Sequence, residues 1–367
     1  MKRKQRVTKP VVAITMGDPA GVGPEVVLQA VMDRAVRKSC LPLVIGDIGV
    51  LLRAGKGRKN LPRLDSWQPG QPIAGNGRAV PVYALSSLSP GEARPGRPSK
   101  ACGQAVYHYI KAAAELVLSG EADAMATAPI SKHVLRLAGH IYPGHTELLA
   151  ELGRAGECRM MLVGGALKVV LVTIHLPLTD VAGELTRRRV KVTVELTHRA
   201  LRDYFDIPHP RIAVTGLNPH AGEEGIFGQE EKRIILPAVL AARKQGIRVS
   251  GPFPADSLFY QVARGDYDVV VCMYHDQGLV PFKTLASGEG VNYTAGLPVI
   301  RTSPDHGTAF DIAGKGKADE SSFRTAVFEC LNIINERKEF EESHKNPLKK
   351  ITSAILANQE DERIEEN

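Results

Sequence analysis

The feature that most constrains this chain is its alternation of short, β-branched runs with longer segments of helical character. Strands need only a handful of apolar residues and helices need ten or more, so the alternation predicts an α/β fold with largely parallel sheets. VVAITM (11–16) reads as a buried strand that runs into the turn GDPAGVG. A helix follows, opened by Pro24, with Glu25 suited to the positive helix end. PLVIG (42–46) reads as a second strand, and residues 53–97, rich in Gly, Pro and Arg, as loops with short strands. A helix is expected over 105–118, then the strand-like DAMATA (123–128), then helices over 131–137 and from near His145 through Leu152. Three strong strands come next: LKVVLVT (167–173), RIAVT (211–215) and YDVVVCM (267–273). Helical segments are expected at 189–204 and 230–244, and a last helix near 322–337 precedes a charged tail.

The net charge of +7 raises the question of nucleic acid. Its placement answers against it. Lys2, Arg3, Lys4, Arg6 and Lys9 crowd the start, whereas residues 359–367 are acidic, so the two tails nearly cancel. The remaining clusters, Arg53 to Arg63 and Arg187 to Lys191, read as solvated faces and loops. Aromatic residues make up 5%, with Trp67 the single tryptophan, so there is little material for base stacking. Five dispersed cysteines form no C-x-x-C pair, which disfavours a disulfide framework or a cysteine zinc site and fits a reducing cytoplasm. The basic start is not followed by a signal core, and the most apolar stretch, 160–178, is interrupted by Lys168 and His175. No membrane association and a cytoplasmic location are expected.

The chemistry clusters behind the strands. His175 follows VLVT, His220 follows AVT in TGLNPHAGE, and His275 follows VVVCM in MYHDQG. Open α/β sheets bind ligands at the carboxyl ends of their strands, so three elements can aim imidazoles at one crevice. Three neutral histidines with open positions describe a catalytic divalent-metal site, while any one of them alone is an ordinary loop residue. GHTELLAEL puts His145 and Thr146 at a helix start, suited to an anion or to a plain Thr cap. Lys283, Asn292 and Arg301 follow downstream; Lys and Arg are the usual partners of phosphate and carboxylate. Asp256 in GPFPADSLF stands at another helix start, where capping is the simple reading. GDPAGVG lacks the G-x-G-x-x-G spacing, and no G-x-x-x-x-G-K-[ST] occurs. The Gly-rich HGTAFDIAGKGKAD (306–319) offers Asp311 as an acceptor for a ribose diol.

ITMGDPAGVGPE, ATAPISK, YPGHTELLA, VTIHLPL, GLNPHAGE, MYHDQG and GVNYTAGLPVIRTSPDHGTAFDIAGKG together resemble the 4-hydroxythreonine-4-phosphate dehydrogenases of pyridoxal phosphate synthesis. The resemblance runs from about Val11 to Phe328, with the motif order kept. HGTAFDIAGKG is also similar to the cofactor loop of isopropylmalate dehydrogenases, which explains how a nicotinamide cofactor binds without Rossmann glycines. The resemblance implies two α/β/α domains with a cleft between them, in the manner of isocitrate and isopropylmalate dehydrogenases. One would hold residues 1–140 plus about 310–345 and the other 141–309, with 346–367 as a tail.

It further implies that His175, His220 and His275 bind one divalent ion (Zn, Mg or Co) and that His145, Thr146, Lys283, Asn292 and Arg301 contact substrate. Gly307, Thr308 and Asp311 would take the cofactor, NAD with NADP possible, and Asp256 and Lys283 would carry protons. Family members are homodimers with the active site at the subunit interface. Ser257 stands where the family often has Thr, and the hydroxyl is kept. The implied reaction oxidises a small phosphorylated hydroxy amino acid, 4-phosphooxy-L-threonine, at C3, and the β-keto acid then loses carbon dioxide. Rival readings are a paralogous 4-phosphothreonate or 4-phosphoerythronate dehydrogenase and, from another class, a three-histidine metal hydrolase.

Overall fold

The computed structural model describes residues 9–73, 79–286 and 290–345. The basic cluster at residues 2–6 and the tail 346–367 lie outside the described residues. Twelve strands are described: β1 (Val11–Thr15), β2 (Leu41–Gly46), β3 (Arg63–Ser66), β4 (Ala79–Ala84), β5 (Ala124–Thr127), β6 (Arg159–Gly164), β7 (Leu167–Leu171), β8 (Ile212–Thr215), β9 (Val249–Phe253), β10 (Val269–Cys272), β11 (Val291–Ala295) and β12 (Arg301–Pro304). They form one sheet in the order β3-β4-β2-β1-β5-β12-β11-β6-β7-β10-β8-β9.

The expected α/β architecture is present, and its sheet has two characters. From β3 to β12 neighbouring strands are parallel, and so are those from β7 to β9. Their continuous apolar runs suit strands covered on both faces: VVAIT, AMAT, IAVT and VVVC are almost wholly buried. Joining the two blocks is an antiparallel centre, in which β12 pairs with β11, β11 with β6 and β6 with β7. This centre carries polar side chains that a parallel core strand would exclude. Asn292 lies opposite Ser303, and Tyr293 opposite Thr302.

Because side chains alternate across a pleated strand, Asn292, Thr294, Arg301 and Ser303 share one face. Thr302 and Tyr293 point to the other face. Thr302 Oγ1 donates to the Ala326 carbonyl (2.7 Å) of the helix Ser321–Lys345, and Tyr293 packs edge-on against Phe205. That closing helix is longer than the 322–337 expected from sequence. The helix expected over 230–244 is interrupted: Glu231–Ile235 is a π turn and the α-helix spans Leu236–Arg243. Pro237 has no N–H to donate back along the helix, so a change of hydrogen-bond register there has a local cause. The loop after β1 meets the loop after β5 backbone to backbone. Gly17 has φ +72°, and a Cβ there would lie 2.5 Å from the Pro129 carbonyl oxygen, so glycine alone fits.

Candidate active site

The antiparallel centre floors a cavity of about 200 Å³. Its wall includes Arg301, Asn292, His145, Thr146, His175 and Gly307, six of the residues singled out in sequence, from widely separated segments. Arg301 is 3% exposed and has no carboxylate within ion-pair distance among the described residues. Its guanidinium donates only to hydroxyls: Nε and Nη2 to Thr127 Oγ1 (3.0 and 2.8 Å), and Nη1 to Thr294 Oγ1 (3.2 Å). Burial pulls its pKa down to about 10, against the opposing influence of Cys330 and Glu147. Burying a cation without an anionic partner is costly, so the arrangement suits an anion.

Other groups in the cavity repeat that signature. His145 Nε2, Asn292 Oδ1 and His306 Nε2 are buried without a hydrogen-bond partner. His145 opens the helix His145–Leu152, whose cap is Gly144 with no side-chain hydrogen bond, so the simple Thr-cap reading of Thr146 is not what the structure adopts. Burial, helped by the charge on Arg301, holds the His145 imidazole well below its usual pKa and therefore neutral. Thr127 and Thr294, which hold Arg301, and His306, Lys132 and Glu147 on the cavity wall were not singled out from sequence. All five lie within the motifs ATAPISK, YPGHTELLA and GVNYTAGLPVIRTSPDHGTAFDIAGKG, the signal that could have found them.

The histidine-bearing strands are neighbours, in the order β7-β10-β8, all parallel. Their carboxyl ends are tied together. Thr173 Oγ1 donates to the Met273 carbonyl (2.7 Å), and Gln277 Oε1 accepts from Thr215 Oγ1 (2.8 Å) and Met273 N (2.7 Å). Gln277 Nε2 then donates to the Gly216 carbonyl (2.7 Å). The rings of His175 and His275 stand 5.7 Å apart, centroid to centroid. Burial lowers the His175 pKa, and the charge on Lys132 adds to that, favouring the neutral, ligating form. His275 Nδ1 is hydrogen-bonded to Asp276 Oδ1 (2.6 Å), which leaves Nε2 as its free donor atom.

His220 stands apart from this pair. Its ring neighbours Phe227 (6.1 Å), and among the described residues no three His, Cys, Asp or Glu side chains converge as a metal cage. Its loop is unusual. His220, Ala221, Gly222, Glu223 and Glu224 all have left-handed φ, between 36° and 81°. Buried Glu231 holds the approach to it, accepting from Leu217 N and Asn218 N (2.8 Å each).

Four more expected residues, Lys283, Asp256, Thr308 and Asp311, lie outside the cavity wall. Lys283 Nζ is 3.2 Å from Asp305 Oδ2 in the last turn of the helix His275–Ala286. Asp256 is exposed in the first turn of the helix Ala255–Ala263, its Oδ1 accepting from Ser257 N (2.9 Å). Asp311 is exposed on the Gly-rich loop. That loop is docked on the turn after β1: Val22 N donates to the Thr308 carbonyl (2.9 Å), and Gly314 N donates to Glu25 Oε1 (2.5 Å). Between them opens a larger cavity of about 800 Å³, rimmed by Arg53, Lys56, Arg58 and Lys315. No helix among the described residues is long and apolar enough to cross a membrane.

Comparisons with known proteins identify the family. The family model described as "Pyridoxal phosphate biosynthetic protein PdxA" matches residues 38–330. The chain is 51% identical over 324 residues to a 4-hydroxythreonine-4-phosphate dehydrogenase of Geobacter metallireducens, covering 87% of this chain and 94% of that relative. It is 45% identical over 329 residues to a D-threonate 4-phosphate dehydrogenase of Cupriavidus necator, covering 89% and 98%. A crystal structure of 4-hydroxythreonine-4-phosphate dehydrogenase from Klebsiella pneumoniae superposes with a TM-score of 0.79 at 42% identity, covering 89% of this chain and 100% of that one. A family match across most of the chain and relatives identical at about half their positions leave one conclusion: the chain belongs to the pyridoxal phosphate biosynthetic PdxA family.

Proposed function

We propose that this chain oxidises the C3 hydroxyl of 4-phosphooxy-L-threonine, passing hydride to NAD, and that the resulting 2-amino-3-oxo-4-phosphooxybutanoate loses carbon dioxide to leave 3-amino-2-oxopropyl phosphate. The observation that carries this reading is Arg301, a buried guanidinium without a carboxylate, facing a cavity with unpartnered His145 and Asn292. A substrate with a phosphate at one end and a carboxylate at the other supplies the missing anion. Arg301 binds it as a fork held in plane by Thr127 and Thr294, and the helix start at His145 and Thr146 adds backbone donors. Neutral His145 serves here as a hydrogen-bond partner, since its pKa is too low for it to be a second cation.

His175 and His275 fit a divalent ion. Their ring centroids, 5.7 Å apart, are near enough for both imidazoles to reach one ion, and Asp276 would orient His275 as a carboxylate behind a ligating histidine does. His220, which stands apart from this pair, would have to approach it to serve as the third ligand of this reading. When bound, the metal supplies Lewis acidity toward the C3 oxygen. Lys283 and Asp256, the proposed proton carriers, lie off the cavity wall in their own chain. They take that role in a homodimer whose active site lies at the subunit interface. Gly307, at the cavity wall, and Thr308, anchored to the turn after β1, fit the nicotinamide end of the cofactor, with Asp311 toward the adenosine ribose. The reading places the site between two structural halves that meet at the antiparallel centre.

A second reading, oxidation of a threonate 4-phosphate, rests on the Cupriavidus necator relative. Following NADH absorbance with each substrate, before and after chelation, tests both. The expected result is faster oxidation of 4-phosphooxy-L-threonine, abolished by chelator and restored by a divalent ion. Absence of NADH with both substrates in the metal-loaded enzyme overturns the reading.

A further inference from the structure

The cavity that holds Arg301 contains a single carboxylate among its lining residues, Glu147. Its presence is odd in a pocket built for anions. A substrate bearing only negative charge gains from Arg301 and loses against Glu147, so the carboxylate is useful only toward a cation. Arg301 is not that cation, since no ion pair joins them, and neither does one join Glu147 to Lys132 on the same wall. The Glu147 side chain folds back over the helix start instead. A Cβ built on Gly144 would meet Glu147 Oε2 at 3.4 Å and Lys132 Cε at 3.8 Å, so both charged chains flank Gly144 at the cavity. From there the carboxylate influences Arg301 and His175 from a distance, opposing in both cases the effect of burial.

A bland role exists for Glu147. It sits in the first turn of the helix His145–Leu152, where an acidic residue favours the helix dipole. That role does not require a cavity position shared with unpartnered His145 Nε2 and Asn292 Oδ1. We propose that Glu147 receives the C2 ammonium of the substrate and selects an amino acid phosphate over the matching hydroxy acid phosphate. The proposal deepens the function given above and rests on it. Both substrates can donate a hydrogen bond at C2, but only the ammonium gains from a full negative charge there.

The test exploits that difference. Glu147→Gln keeps an acceptor oxygen and removes the charge. Its kcat/KM for 4-phosphooxy-L-threonine should fall roughly 10- to 100-fold, mainly through KM, while kcat/KM for threonate 4-phosphate stays level or rises. Glu147→Asp keeps the charge and should retain most of the preference, which separates recognition from helix capping. An unchanged ratio between the two substrates in Glu147→Gln, or an equal loss with both, overturns the assignment. A wild-type enzyme that oxidises neither substrate would instead strike down the function on which the assignment rests.

Discussion

The antiparallel centre of the sheet carries an arginine on each face, and the two are treated in opposite ways. Arg159 on β6 turns toward the helix Arg187–Tyr204 and is fully partnered. Its Nη2 lies 2.6 Å from Glu157 Oε2, its Nε donates to Thr193 Oγ1 (2.8 Å) and its Nη1 to the Cys158 carbonyl (2.8 Å). Arg301 on β12 turns toward the cavity, is more deeply buried, and meets only two threonine hydroxyls. The first arrangement is what stability selects, because every charge taken from water is repaid by a partner. The second leaves a charge uncompensated, which the anion of the proposed substrate would repay. In the function proposed above, the buried, unpaired Arg301 serves a ligand, whereas the paired Arg159 serves structure.

Arg301→Met is the sharpest way to break that contrast. Removing a bidentate anion clamp should lower kcat/KM by about 10³-fold, given roughly 1.5–3 kcal/mol for each hydrogen bond to a charged group. Thermal melting of the same variant should be unchanged or slightly improved, since an unpaired charge leaves the core. A variant that melts much earlier would put Arg301 with Arg159 as a structural residue.

Asp18 extends the contrast to a carboxylate. It is fully buried in the turn after β1. Oδ1 accepts from Ala20 N (2.9 Å) and Oδ2 has no partner, and burial raises its pKa from 3.8 to about 6. A carboxyl whose pKa is raised by folding holds its proton more tightly when folded. Its ionised form therefore weakens the protein as pH climbs from about 4 through 6. Asp18→Asn keeps the acceptor for Ala20 N and should stabilise the protein by about 2–3 kcal/mol at pH 8. The gain should vanish near pH 4. Urea melts at the two pH values measure it, and an equal effect at both would show that Asp18 is not ionised against a burial cost.

Arg159→Met should have the smallest effect, on stability alone. A loss of about 1–2 kcal/mol is expected rather than the full penalty of a broken buried pair, because Glu157 is partly exposed and also pairs with Arg188 (2.5 Å). Its kcat/KM should stay within about threefold of wild type by the same logic. A large kinetic defect with unaltered melting would erase the distinction between the two faces.

Much of this was legible in the chain itself, for a physical reason. Strand and helix identity depends on local apolar periodicity, so β1, β2, β5, β7, β8 and β10 and the helices between them could be read directly, as could the histidines that leave three of those strands. The antiparallel centre could not. VNYTA and RTSP are short and polar, and they resemble loop sequence until the hydrogen bonds of β5 and β6 make them strands. Arg301, read alone, is one more solvated cation, and only its neighbours on β5 and β11 take it out of water. Lys283, read as equally available, is drawn to Asp305.

What the sequence determined by itself was the alternation of elements and the types of side chain at the strand ends, since both are properties of a dozen residues at a time. What the tertiary structure decided was which charges find partners. Desolvation and pairing depend on residues more than a hundred positions apart, as Thr127 and Arg301 are, and no local pattern carries that information.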